Sequence, residues 1–321
     1  MMRAQIFYKT ARSGIIIFML SGILLTACQH DLPIKEGTLK IGSADIYYKT
    51  MGKGTPTFIL HGGPGDTHDT MLQLSPLSND FKLIFYDQRA AGRSTGDADT
   101  ASHTIEQFVE DLEQLRLKLG ADKINLIGGS WGSMVAMQYA MKYSDQIQAM
   151  VLMSSMGIRS EYFPFYQANI EKNRTPEDSL TLKRIQGSEG FQNRNPDVVE
   201  KFWRIYFRAY CCNPTCADSL HLWIRKNDLP NVPGRYEKLG EFIADYDLEE
   251  DLKNIKCPTL ILHGVCDPTP VEWVIPIHKK IVGSQMQTIP NAGHWLWVEG
   301  ADQVIPKIKD FFIKNKVDQG A

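Results

Sequence analysis

The stretch Lys123-Ile124-Asn125-Leu126-Ile127-Gly128-Gly129-Ser130-Trp131-Gly132-Ser133 decides the fold. Its first five residues are short and mostly apolar and read as a buried strand. Met134 to Tyr143, directly after it, is built of good helix formers with apolar residues at helical spacing. A Gly-x-Ser-x-Gly placed between strand and helix is a nucleophile elbow, a turn so sharp that only small residues fit beside the serine. It holds the hydroxyl up at the top of the sheet. The same letters could mark a packed strand-to-helix turn whose serine merely caps the helix. The strand–turn–helix setting and the partners found further along the chain favour the chemical reading.

Working outward, strands alternate with helices. Thr38–Ile41 and Asp45–Thr50 read as a hairpin around Gly42-Ser43-Ala44, an antiparallel edge to a larger sheet. Pro56–Leu60 and Lys82–Tyr86 are the next strands, and His103–Leu119 is a helix stopped by Gly120. The elbow follows, then the strand Ala149–Met153. The sheet resumes at Thr259–Leu262 and, after a helix near Val271–Val282, at Gln285–Ile289; Asp302–Phe312 closes the chain as a helix. This alternation predicts an α/β fold with a mainly parallel central sheet flanked by helices. Between 157 and 246 the alternation stops. That segment is rich in aromatics and broken by Asn195-Pro196, Asn213-Pro214 and Pro230–Gly234. Inserted after the sixth strand, it reads as a helical cap, either a lid over the serine or an extra stabilising layer. The expected organisation is a signal peptide over 1–27, a tether over 28–36, core over 37–156, cap over 157–246 and core again over 247–321.

With 321 residues the chain can bury one large core or a core plus a cap. A hydrophobic fraction of 43% and a charged fraction of 22% argue against disorder and against a multi-span membrane protein. The net charge of -2 gives no reason to expect a nucleic-acid partner. At the N-terminus Arg3, Lys9 and Arg12 precede the apolar run Ile15–Leu25, which is too short to span a bilayer as a helix. The run ends in Leu25-Thr26-Ala27-Cys28, which resembles a bacterial lipobox and implies cleavage before Cys28 with lipid attached there. An ordinary secretory signal, or an uncleaved anchor with Cys28 incidental, is the alternative. The expectation is thus an exported, lipid-anchored envelope protein. Gln29, rather than the aspartate of an inner-membrane retention signal, tilts this towards an outer membrane. Export places the remaining cysteines where disulfides persist. Cys211 or Cys212 could pair with Cys216, a Cys257–Cys266 bridge would have to cross a strand, and the odd count leaves at least one free thiol.

A serine hydroxyl needs an adjacent base, normally a histidine oriented by a carboxylate. Asp267 follows the strand Thr259–Leu262 and His294 follows Gln285–Ile289, so the order Ser130, Asp267, His294 fits an α/β-hydrolase triad. Trp131, directly after the nucleophile, and Gly63, in the loop after an early strand, are the expected backbone donors of an oxyanion hole, with Gly62 the runner-up for the second. His61 and His263, at strand ends before glycine, read as loop braces.

Together His61–Gly65, Asp87–Ser94 and Gly128–Ser133 resemble the prolyl aminopeptidase (proline iminopeptidase) family of α/β hydrolases. The resemblance implies a serine peptidase with a helical cap that removes an N-terminal residue, typically proline, from short peptides, with no metal and no cofactor. Two departures stand out: Ala90 occupies a position usually held by glycine, and the tryptophan-rich cap motifs whose glutamates bind the substrate amine are missing. Glu161, Glu200, Glu237 and Glu241 lie in the right region, but nothing in their flanks selects one. An esterase, lactonase or thioesterase on the same triad is the second reading. A binding lipoprotein with a vestigial triad is the third.

Overall fold

The computed structural model describes residues 33–96, 102–224 and 237–316. The signal segment, Cys28 and the break at Pro230–Gly234 lie outside these residues. Eight strands form one sheet in the order β1-β2-β4-β3-β5-β6-β7-β8. They are β1 (Ile34–Ile41), β2 (Ala44–Met51), β3 (Pro56–Leu60), β4 (Lys82–Tyr86), β5 (Ile124–Gly129), β6 (Ile147–Met153), β7 (Thr259–Gly264) and β8 (Gln285–Ile289). The hairpin is antiparallel, with Ile41 opposite Ala44 across a tight turn in which Gly42 takes φ +57°. Its first strand begins at Ile34, inside the stretch read as a tether. β2 pairs antiparallel with β4, and every other neighbouring pair is parallel.

The parallel strands are covered on both faces, and their side chains sort by the two-residue period. Phe58, Leu60, Leu126, Met150 and Leu152 face one core, with α1 (Ile105–Lys118) and α2 (Trp131–Tyr143) packed over them. Ile59, Ile127, Val151 and Met153 face the other. That second layer includes α10 (Ala301–Lys314) and a 3-10 segment, His68–Asn79, whose buried Met71, Leu74 and Leu77 recur every third residue. The helix near Val271–Val282 is shorter than expected. It is a 3-10 turn, Val271–Trp273, followed by α8 (Ile275–Lys280), and Pro276 sits in that helix's first turn.

Between β6 and β7 the described helices are α3 (Phe163–Asn173), α4 (Pro176–Gln186), α5 (Glu189–Gln192), α6 (Pro196–Phe207) and α7 (Glu237–Ala244); α9 (Leu296–Glu299) follows β8. Asn195-Pro196 both separates and initiates. The Asn195 side chain accepts from the N–H groups of Asp197 and Val198, and Pro196 opens α6, where its missing N–H is no loss.

The sheet crosses over at β3, which lies between β4 and β5. Loops leaving the C-terminal ends of parallel strands at such a crossover are where this kind of sheet forms a crevice. The loops after β3, β5, β7 and β8 carry Gly63, Ser130, Asp267 and His294 respectively.

Candidate active site

Ser130 stands between β5 and α2 at φ 52°, ψ -121°, a left-handed conformation that an L-residue adopts only under constraint. The flanking glycines are required by contact. A Cβ on Gly128 would lie 2.5 Å from the Gly132 carbonyl oxygen, and one on Gly132 would lie 2.1 Å from the Leu60 oxygen. The turn is fastened by the Ser130 N–H donating to Met153 O at 2.9 Å and by the Ser133 hydroxyl donating to Ser130 O at 2.6 Å. The glycines thus let β3 approach the elbow so closely that the loop after β3 is set beside the serine.

His294 and Asp267 are brought together. The His294 Nδ1–H donates to Asp267 Oδ2 at 3.0 Å, which leaves Nε2 as the nitrogen that can take a proton. Both residues are buried, and Asp267 Oδ1 also accepts from the Thr269 N–H at 2.8 Å. Burial by itself raises the Asp267 pKa, but the facing His294 and His263 outweigh it and draw the carboxyl down to about 2, so it is ionised. The His294 backbone is held on both sides, its N–H donating to Tyr210 O at 2.8 Å and its carbonyl accepting from Ser154 Oγ at 2.7 Å. Ser130 and His294 line one cavity, with Asp267 behind the imidazole.

Trp131 is the first residue of α2, so its backbone N–H has no acceptor within the helix. Gly63 lines the cavity, while a Cβ on Gly62 would lie 3.2 Å from Ser130 Cβ. The orientation of the Gly62–Gly63 peptide follows from His61. Its Nε2 accepts from the Gln88 N–H at 3.0 Å, so Nδ1 carries the proton and donates to Gly62 O at 2.9 Å. Burial pushes this imidazole down to about 4 despite Asp87, which keeps it neutral. A trans peptide points N–H opposite to C=O, so the Gly63 N–H is turned away from the buried ring. His61 is a brace, as expected, and so is His263, whose Nε2 meets Thr269 O at 3.0 Å.

Three features of the site carry no periodic or spacing signal in the sequence. Gln88 donates from Nε2 to His61 O at 2.7 Å and accepts from the Trp131 indole at 2.9 Å, joining the loop that carries Gly63 to the side chain of Trp131. Glu299 accepts from the N–H groups of Gly293, Cys212 and Asn213, tying the histidine loop to the segment after α6. Disulfides join Cys211 to Cys216, one of the pairings the sequence allowed, and Cys212 to Cys266, a long-range bridge beside Asp267 that it did not suggest. Cys257 is free and buried. Ala90, at the position where the resembled family has glycine, adopts φ 60°.

The cavity encloses about 510 Å³. Trp203, Tyr206, Phe207 and Trp223, from the segment between β6 and β7, line it together with Ser130 and His294. None of the four cap glutamates considered from the sequence lines this cavity. Glu161 and Glu237 are exposed, Glu200 pairs with Arg204 along α6 at 2.7 Å, and Glu241 pairs with Lys238 at 2.9 Å. For the last two, the helical neighbours Arg204 and Lys238 take up the carboxylates.

A family model described as the alpha/beta hydrolase fold matches residues 56–301. A proline iminopeptidase of Saccharolobus solfataricus is 32% identical over 302 residues, spanning 91% of this chain and 96% of that protein. Among solved structures, the proline iminopeptidase of Mycobacterium smegmatis superposes with a TM-score of 0.66 at 18% identity, covering 88% of this chain and 98% of its own. A thermophilic esterase from Thermogutta terrifontis superposes with a TM-score of 0.64 at 24% identity, covering 88% of this chain and all of its own. At these identities the two structures speak for the fold alone.

Proposed function

The chain belongs to the alpha/beta hydrolase family, and from that premise we propose that it is a serine aminopeptidase releasing N-terminal proline, or a similar residue, from short peptides. The observation that carries this reading is the 32% identity to a proline iminopeptidase over 91% of the chain. In the proposed mechanism Ser130 Oγ attacks the carbonyl of the N-terminal residue while His294 Nε2 takes its proton. Asp267 holds the tautomer and stabilises the imidazolium. The Gly63 and Trp131 N–H groups receive the developing oxyanion. His294 then protonates the leaving amine, and water deacylates the serine by the reverse proton route. The segment 157–246 acts as the cap over this reaction.

A second reading, an esterase on the same triad, is supported by the absence of all four considered glutamates from the cavity wall. Hydrolysis by the purified full chain separates the two. Prolyl and alanyl anilides, N-acetyl-prolyl anilide and a short aryl ester are compared, with Ser130→Ala as control. Cleavage of the free-amine prolyl anilide with the acetylated form inert is expected. Turnover of the ester alone would discard the aminopeptidase.

We also propose that Cys28 is lipidated and that the protein is held at the cell envelope. The lipobox-like sequence supports this, as do the two disulfides, which fit an oxidising compartment. Intact-mass measurement of envelope protein decides it, since an unmodified mature N-terminus would refute it.

A further inference from the structure

Asp66 ends the loop that begins with His61 and Gly62, and it is half-buried at the cavity wall. Among the described residues that line the cavity it is the only carboxylate, and none is lysine or arginine. A Cβ on Gly63 would lie 3.4 Å from Asp66 Cβ, and one on Gly62 would lie 3.7 Å from Ser130 Oγ. Ser130, the oxyanion-side glycines and Asp66 therefore follow one another along a single wall. The α-nitrogen of an N-terminal residue is one carbon removed from the carbonyl that a serine would attack. An anion placed on this wall, beside the serine, is in a position to meet it.

We infer that Asp66 receives the substrate's free α-ammonium group, so that this chain reads the amine from the loop after β3 rather than from a glutamate of the cap. The inference rests on the aminopeptidase reading. Asp66 Oδ1 accepts from the Thr67 N–H at 2.8 Å and Oδ2 from the Thr70 hydroxyl at 3.1 Å. A carboxylate offers about four acceptor positions, so these two bonds fix its direction and leave capacity for a cation. Burial, with Asp87 and Asp69 adding to it, raises the Asp66 carboxyl to about 6 against the pull of those two hydrogen bonds. An arriving ammonium relieves that penalty, and the aromatic walls hold the rest of the residue in contact that excludes water.

The test is the ratio of kcat/KM for prolyl anilide to that for N-acetyl-prolyl anilide, in the wild-type full chain and in Asp66→Asn. The amide keeps an acceptor for the Thr67 N–H, and its NH2 faces the Thr70 hydroxyl, which can donate to Thr67 O instead, so the main loss is the charge. The ratio is expected to fall about ten- to a hundredfold, the range for one charge-assisted hydrogen bond, with the loss in KM for the free-amine substrate. A parallel decline on both substrates, ratio unchanged, would make Asp66 a structural residue of the loop and overturn the inference alone. A wild-type protein that does not discriminate would overturn the aminopeptidase reading and this inference with it. Should Asp66→Asn fail to fold, inhibition of the wild type by pyrrolidine, a cation, is compared with inhibition by cyclopentanol, its uncharged counterpart. Stronger inhibition by pyrrolidine is expected, and equal inhibition refutes the site.

Discussion

Gln88 touches neither the serine nor the histidine, yet its side-chain amide holds the His61 carbonyl and the Trp131 indole in one arrangement. It therefore acts on the two predicted oxyanion donors only through others, fixing the start of the loop that carries Gly63 and the side chain of Trp131. Replacing it by leucine would leave a buried carbonyl and a buried indole N–H without these partners, about 1–3 kcal/mol for each group. Because the groups it aligns meet charge only as the tetrahedral intermediate forms, Gln88→Leu is expected to lower kcat at least about tenfold with KM nearly unchanged. Steady-state kinetics on the wild-type substrate checks this, and a rise in KM at constant kcat would contradict it. The contrast with Ser130, Asp267 and His294 shows what is legible at this scale. Those three are candidates because the roles read for them fix a chain order and a place after particular strands, and the structure brings Asp267 and His294 together at the cavity that Ser130 lines. Gln88, Asp66 and Glu299 act through contacts between loops that are distant in sequence, and no local pattern encodes such contacts.

The loops that bear the triad are elements held by others. Cys212, just beyond α6, is joined to Cys266, one residue before Asp267, and its own N–H donates to Glu299 beside the histidine loop. One short segment thus fastens both the acid loop and the base loop to the cap. The Cys212–Cys266 bridge closes a loop of 54 residues, for which chain entropy gives about 4 kcal/mol. The Cys211–Cys216 bridge closes only 5, for about 2 kcal/mol. Reduction, or Cys212→Ser with Cys266→Ser, is expected to lower both the melting temperature and kcat. Opening the short bridge alone is expected to cost about half as much stability and to leave kcat closer to wild type. Calorimetry with parallel assays checks the ordering, and equal effects would contradict it. The strands of the sheet were legible because a strand covered on both faces is a run of apolar residues between turn signals. The cap was legible only as a loss of that alternation. Of its helices α3 and α6 line the cavity, and its bridges depend on where they dock.

Across the whole molecule, three buried or half-buried carboxylates and the buried His61 shape the pH dependence of stability, and they do not all act in one direction. Asp87 is drawn down to about 2. Burial opposes this, but the His68 hydrogen bond and charge, His61 and the Arg93 N–H outweigh it. Asp267 is likewise drawn down to about 2, by His294 and His263. A carboxyl lower in the folded than in the unfolded chain stabilises fully above the ordinary value of 3.8, and that stability is lost as pH falls towards 2. Each contributes about 2 kcal/mol by this linkage. Asp66 has the opposite sign. Raised to about 6, it favours the folded state below 3.8 and withdraws that contribution as pH rises through 6. Stability should therefore fall below about 4 through Asp87 and Asp267, while between about 4 and 6 the loss through Asp66 is opposed by His61, which is held down to about 4 and adds stability as pH rises towards its ordinary 6.5. A residue that lowers stability near neutrality and faces a cavity is what a binding group looks like before its ligand arrives. Asp66→Asn, which removes the charge, should raise the melting temperature above pH 6 and leave the acid limb unchanged. Thermal melting from pH 3 to 8 of wild type and variant is the measurement. A variant less stable than wild type at pH 7.5 would mean that Asp66 holds its loop together as an anion and not at the expense of stability.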